Sequence, residues 1–129
     1  MIDTLKIWHQ VVKSGDTSLL DTLLDDDAVM ISPVVHTHQK GKAITKLYLS
    51  AAASVIGNKH FKYVRETLDS NGAILEFETE VDGLFVNGVD IITWNEEVKI
   101  TEFKVMVRPL QALNILHQKM GEMLQLLNK

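Results

Sequence analysis

The chain has 129 residues, 46% of them hydrophobic and 23% charged, a balance that suits one compact domain and is too short for two full-sized ones. Cysteine is absent, which excludes a disulfide framework, an iron–sulfur cluster, thiolate zinc and a cysteine nucleophile together and points to the cytoplasm. A formal charge of -4 repels phosphate backbones, so nucleic acid is not an expected partner; nor is a membrane, since no apolar run reaches the roughly 18 residues of a span.

In chain order, Leu5, Trp8, Val11 and Val12 recur at three- and four-residue spacing, which predicts an amphipathic helix over Ile2 to Lys13, ended by Ser14-Gly15. Asp16 stands where an N-cap is wanted, ahead of a second short helix carrying Leu19, Leu20, Leu23 and Leu24. Asp25, Asp26 and Asp27 break that pattern, and Ala28 to Ser32 reads as a short strand stopped by Pro33, with a loop through His36, His38 and Gln39 to Gly41. Ile44, Leu47, Tyr48, Ala51, Ala52 and Val55 then have helical spacing within Lys42 to Ile56, and Gly57-Asn58 offers a left-handed cap.

The second half changes to a period of two. Phe61, Tyr63, Arg65 and Thr67 alternate with Lys62, Val64, Glu66 and Leu68, and Ser70-Asn71-Gly72 supplies hairpin chemistry. In the next strand Leu75, Phe77, Thr79 and Val81 share one face, while Glu76, Glu78, Glu80 and Asp82 share a wet one. Asp82-Gly83 marks a turn, Leu84 to Trp94 a third strand, Asn95 to Glu97 a turn and Val98 to Arg108 a fourth strand. Pro109 suits the first position of a closing helix whose stripe is Leu110, Leu113, Leu116, Met120, Met123 and Leu127.

Helices first and a meander afterwards describe an α+β fold, a curled antiparallel sheet of four to six strands forming a cone, with the N-terminal helices packed on its concave face and a C-terminal helix added. Four short segments in this order resemble the nuclear transport factor 2-like and SnoaL-like superfamily, which includes ketosteroid isomerases, limonene epoxide hydrolases and polyketide cyclases. They are Ser14-Gly15-Asp16; Asp26-Asp27-Ala28-Val29-Met30 running into Ser32-Pro33; Gly41 before the third helix; and Val89-Asp90-Ile91-Ile92-Thr93-Trp94 before Lys99-Ile100. The resemblance covers nearly all of residues 1–108 and implies a single SnoaL-like domain over 1–129, with 109–129 as an extension.

In the ketosteroid isomerases a carboxylic acid is held neutral by an apolar site and donates to an oxyanion. The resemblance places Asp90 at that acid, Trp8 at the phenolic donor beside it, and Ser32 at the aspartate that abstracts the substrate proton. A serine hydroxyl is no base at neutral pH without an activating partner. The residues themselves also single out Asp90, because a carboxylate within Val89-Asp90-Ile91-Ile92 loses water and its pKa rises; a structural pairing with Arg, Lys or a backbone N–H is the alternative. Trp8 is equally consistent with plain core packing.

His36 and His38 lie two apart, which puts both imidazoles on one side of an extended chain. His36 is a candidate replacement for the missing base, the alternative being a pair of surface histidines, and no third ligand completes a metal site. The three consecutive aspartates lack the alternation of a calcium loop. No phosphate-binding glycine loop, Gly-x-Ser-x-Gly elbow or His-Glu-x-x-His helix occurs, so neither cofactor nor metal is expected.

Leu113, Leu116, Met120, Met123 and Leu127 form a seam narrow enough to lid the cone or to pack across a two-fold axis. The resemblance implies a homodimer through the outer sheet face. Three functions remain open: binding of a small hydrophobic, oxygen-bearing molecule by Trp8, Ser32 and Asp90; an isomerase, dehydratase or hydrolase using Asp90 with His36 or a water held by Ser32; and a non-catalytic dimerisation module.

Overall fold

The computed structural model describes residues 2–127. Helix α1 (Ile2–Ser14) buries Leu5, Trp8 and Val11 on one stripe, as the spacing predicts. Asp16 caps the turn that follows, its carboxylate accepting from the Ser18 N–H, and a 3-10 turn (Thr17–Leu19) leads into α2 (Leu20–Leu23). Strand β1 (Leu24–Ile31) begins four residues before the expected Ala28 and takes in all three aspartates. The pattern hides it because its register slips between Leu24, paired with Ile100, and Val29, paired with Glu102. The short β2 (Gln39–Lys40) pairs back onto β1 within the segment expected to be loop.

Helix α3 (Lys42–Ile56) has the predicted bounds. Gly57 does not cap it in the left-handed region, since its φ is -79°. Strands β3 (Lys62–Asp69), β4 (Gly72–Val81), β5 (Leu84–Trp94) and β6 (Ile100–Arg108) form the expected meander. The β4–β5 hairpin turns on Asp82 and Gly83, both with positive φ, the backbone that a two-residue hairpin needs to match strand twist. The β3–β4 hairpin turns instead on Ser70 and Asn71 without positive φ, and Gly72 is already a paired strand residue. A Cβ there would lie 2.7 Å from the Ile92 carbonyl oxygen, so the glycine serves close strand approach rather than the turn. The last strand starts at Ile100, not Val98, because Val98 sits in the preceding turn with φ 57°.

Together the strands make one curled six-stranded sheet in the order β2-β1-β6-β5-β4-β3. All neighbours are antiparallel except β1 and β6, which run parallel, a pairing absent from the sequence expectation. The buried face of β4 carries Leu75, Phe77 and Val81, and that of β5 carries Val86, Ile92 and Trp94, so the helices cover this side.

Helix α4 (Leu110–Leu127) packs against α3 and against β5 and β6. Its middle, Ala112 and Leu116, is buried, and Met120 and Met123 pack beside them. Leu110 and Leu127, expected on the stripe, are exposed because the helix ends run past the core. Residues 128–129 of the expected helix lie outside the described residues.

Candidate functional site

Two apolar clusters fill the interior. One gathers Trp8, Met30, Leu49 and Phe103, the other Phe77, Val86 and Leu116, and Tyr63 and Val105 touch both. A cavity of about 90 Å³ lies at this seam, lined by side chains of α1, α3, α4 and the sheet. Leu116 and Met120 give it a wall from α4. That helix therefore covers the cone, one of the two roles its seam allowed.

Strict alternation along β5 turns Asp90 inward between Gly88 and Ile92, where it is 5% exposed. Tyr63, on β3, pairs with Phe77 of β4 and reaches over that strand to the acid. Its hydroxyl donates to Asp90 Oδ2 at 2.6 Å. On its other side the Trp8 indole N–H donates to the Tyr63 oxygen at 2.9 Å. An indole N–H can only donate, so the chain runs in one direction, Trp8 to Tyr63 to Asp90. The ring of Trp8 is also held edge-on against Phe103, with centroids 4.8 Å apart.

Burial pushes the Asp90 carboxyl up to about 7, against the weaker downward pull of the Tyr63 hydrogen bond. Burial and the neighbouring Asp90 carboxylate hold the Tyr63 phenol well above its ordinary value, so it stays a donor. Among the described residues, Tyr63 and Asp90 are the only titratable side chains in the lining; it contains no Lys, Arg or His. The alternative of an Asp90 paired with a cation therefore does not hold here. Outside Tyr63, His9 Nε2 lies 3.2 Å from Glu66 Oε1, and the His9 ring stands 5.9 Å from the phenol ring.

The structure brings Trp8, Ser32 and Asp90 to one cavity. Trp8 contributes its ring, its N–H being taken up by Tyr63. Ser32 is buried, and its Oγ accepts from the Val34 N–H at 3.2 Å, a turn after which, beyond Val34, the chain leaves the cavity lining. His36 and His38 follow on that exposed loop, and neither is a lining residue. Sequence reasoning missed Tyr63, whose one signal is an aromatic in period-two register with Phe61 on an otherwise exposed strand.

A cone of α-helices on a curled sheet, with one desolvated acid in an apolar hollow, defines the class. No protein-family model matches the chain, and no curated protein does. Solved structures do. A steroid delta-isomerase from Pseudomonas aeruginosa is 32% identical, over 96% of this chain and 90% of that one, with a TM-score of 0.90. An uncharacterized bacterial protein with a cystatin-like fold from Silicibacter pomeroyi DSS-3 is 30% identical over 92% and 83%, with a TM-score of 0.85. A protein of unknown function from Mesorhizobium loti, described as NTF2-like, is 18% identical over 84% and 90% at a TM-score of 0.73, a likeness of fold alone. The chain belongs to the nuclear transport factor 2-like, or SnoaL-like, superfamily.

Proposed function

We propose that the protein binds a small hydrophobic, oxygen-bearing molecule in the cone, anchored by Asp90. The observation that carries this reading is a buried carboxyl lining an otherwise apolar cavity, with Tyr63 as its only protein hydrogen-bond partner among the described residues. Apolar walls with few convergent polar groups are the ordinary make-up of a ligand site. The size favours a small occupant, since about 90 Å³ is well below the roughly 300–1,000 Å³ of pockets for drug-sized ligands.

Binding is preferred over catalysis because, among the described residues, the lining offers no second base. Ser32 has no imidazole partner, and proton abstraction needs a group within hydrogen-bond reach of the substrate. The likeness to a steroid delta-isomerase supports the enzymatic reading in one form, with Asp90 itself moving the proton as an acid or base near neutrality. Native mass spectrometry of the purified protein, followed by Asp90→Ala, tests the proposal. A co-purifying small molecule that is lost in a still-folded Asp90→Ala supports it; retention of that molecule overturns it.

The proposed assembly is a homodimer through the outer sheet face. Ile74, Phe85 and Met106 are about half exposed there, and register places Ile74 opposite Ile91 and Met106 opposite Val89 in one apolar patch. Light scattering gives the test: wild type at twice the monomer mass and Met106→Lys at one.

A further inference from the structure

The directions of two hydrogen bonds limit what the cavity can hold. Trp8 uses its only polar hydrogen on Tyr63, and Tyr63 uses its only hydroxyl hydrogen on Asp90 Oδ2. Trp8, expected as an oxyanion-hole donor, and Tyr63, which was not, therefore have no polar hydrogen left for a ligand. What the cavity-lining carboxylate retains is Oδ1, for which no protein donor exists among the described residues. Such an oxygen accepts.

We propose that the ligand is a small alcohol whose hydroxyl donates to Asp90 Oδ1 while its carbon skeleton fills the apolar walls. The proposal rests on the reading of the cavity as a ligand site and adds the polarity of the ligand's oxygen. A ketone of the same shape brings only lone pairs to the lone pairs of the carboxylate, leaving two buried acceptors unpaired. An alkylammonium also donates, but it must shed the hydration of a full charge in a lining whose other polar side chains, among the described residues, are Ser32, Tyr63 and the already engaged indole of Trp8. An engineered apolar cavity of about 150 Å³ holds the six carbons of benzene. By that scale the present one takes about four non-hydrogen atoms with its walls in place.

The same geometry makes an unusual prediction for Asp90→Asn. Asparagine has one side-chain oxygen, which the Tyr63 hydroxyl would occupy, so its NH₂ takes the place of Oδ1 and donates. The ligand preference should invert.

Propan-2-ol, acetone and isopropylamine, each of four non-hydrogen atoms, are suitable probes. They are titrated into ¹⁵N-labelled protein at pH 8.5, following the indole N–H resonance of Trp8. The wild type should bind propan-2-ol about tenfold more tightly than acetone, the scale of one hydrogen bond to a charged group. Asp90→Asn should prefer acetone. At pH 5.5 the wild type should also lose its alcohol preference, because the carboxyl proton then sits on Oδ1 and donates. His9 on α1 and Glu66 on β3 are the other titratable groups packed around Tyr63, so His9→Gln should show the same pH dependence. Equal or tighter binding of acetone by the wild type at pH 8.5, tightest binding of the amine, or an unchanged preference at pH 5.5 overturns the alcohol proposal and leaves the ligand-site reading standing. Failure of every probe to move the Trp8 resonance overturns both.

Discussion

The Tyr63 hydroxyl links Trp8 to Asp90 by hydrogen bonds, lying 2.9 Å from the Trp8 indole nitrogen and 2.6 Å from Asp90 Oδ2. A hydrogen bond to an ionised carboxylate favours the charged form. Tyr63→Phe removes it without changing the ring, so the Asp90 pKa should climb above its value of about 7 by roughly one to two units, the equivalent of about 1.5–3 kcal/mol. A carboxyl ¹³C titration of both proteins measures this directly. A fall in pKa would show that Tyr63 is not the donor.

Asp90 also makes stability depend on pH. In the unfolded chain its pKa is about 3.9, and in the folded protein it is raised to about 7. Between these values the folded state binds the extra proton, so this residue's contribution to stability falls as pH rises from about 4 to about 7 and is level above. The full loss is on the order of 4 kcal/mol. Asp90→Asn lacks this slope and should overtake the wild type in stability at pH 8, while the two differ far less at pH 4. Urea denaturation at both pH values provides the comparison.

Leu116 reaches from α4 into both the second core cluster and the cavity wall. Leu116→Ala should cost about 2–4 kcal/mol through lost burial and added empty volume. It should also admit probes one or two carbons larger than the wild type accepts. Chemical denaturation reads the first effect and titration with a homologous series of alcohols the second.

At Gly88 a Cβ would stand 2.6 Å from Phe77 Cζ and 2.7 Å from the Met106 carbonyl oxygen. Phe77 lies across β5 because that strand has no side chain there. Gly88→Ala must push either the ring or the neighbouring strand, and a destabilisation of about 1–3 kcal/mol is expected. A melting temperature equal to that of the wild type would mean that the ring has room to move.

Helix α3 and strand β5 were legible in the sequence to the residue, because each carries a long uninterrupted pattern of one period. Asp90 was legible for the opposite reason, as one charge inside an apolar run. The start of β1 was not: Asp25 to Asp27 are tolerated through a register slip and through the Asp25 carboxylate accepting from Asn95, 70 residues away. Tyr63 escaped for a similar reason. Its strand is mostly exposed, apolar Val64 and Leu68 included, and its role depends on partners 55 and 27 residues distant. Local periodicity reports which side chains face a core and not which polar groups meet there.

The parallel pairing of β1 with β6 bears on how the molecule is made. A ribosome releases β1 long before β6 exists, and Thr4 waits for the carbonyl of Val98, 94 positions later. Until then β1 has only the two-residue β2 beside it, and its other edge is open to foreign strands. Assembly that depends on such distant pairing is slow. The vulnerable species during synthesis is thus the N-terminal half, and crowding or heat at that stage favours clumping over completion.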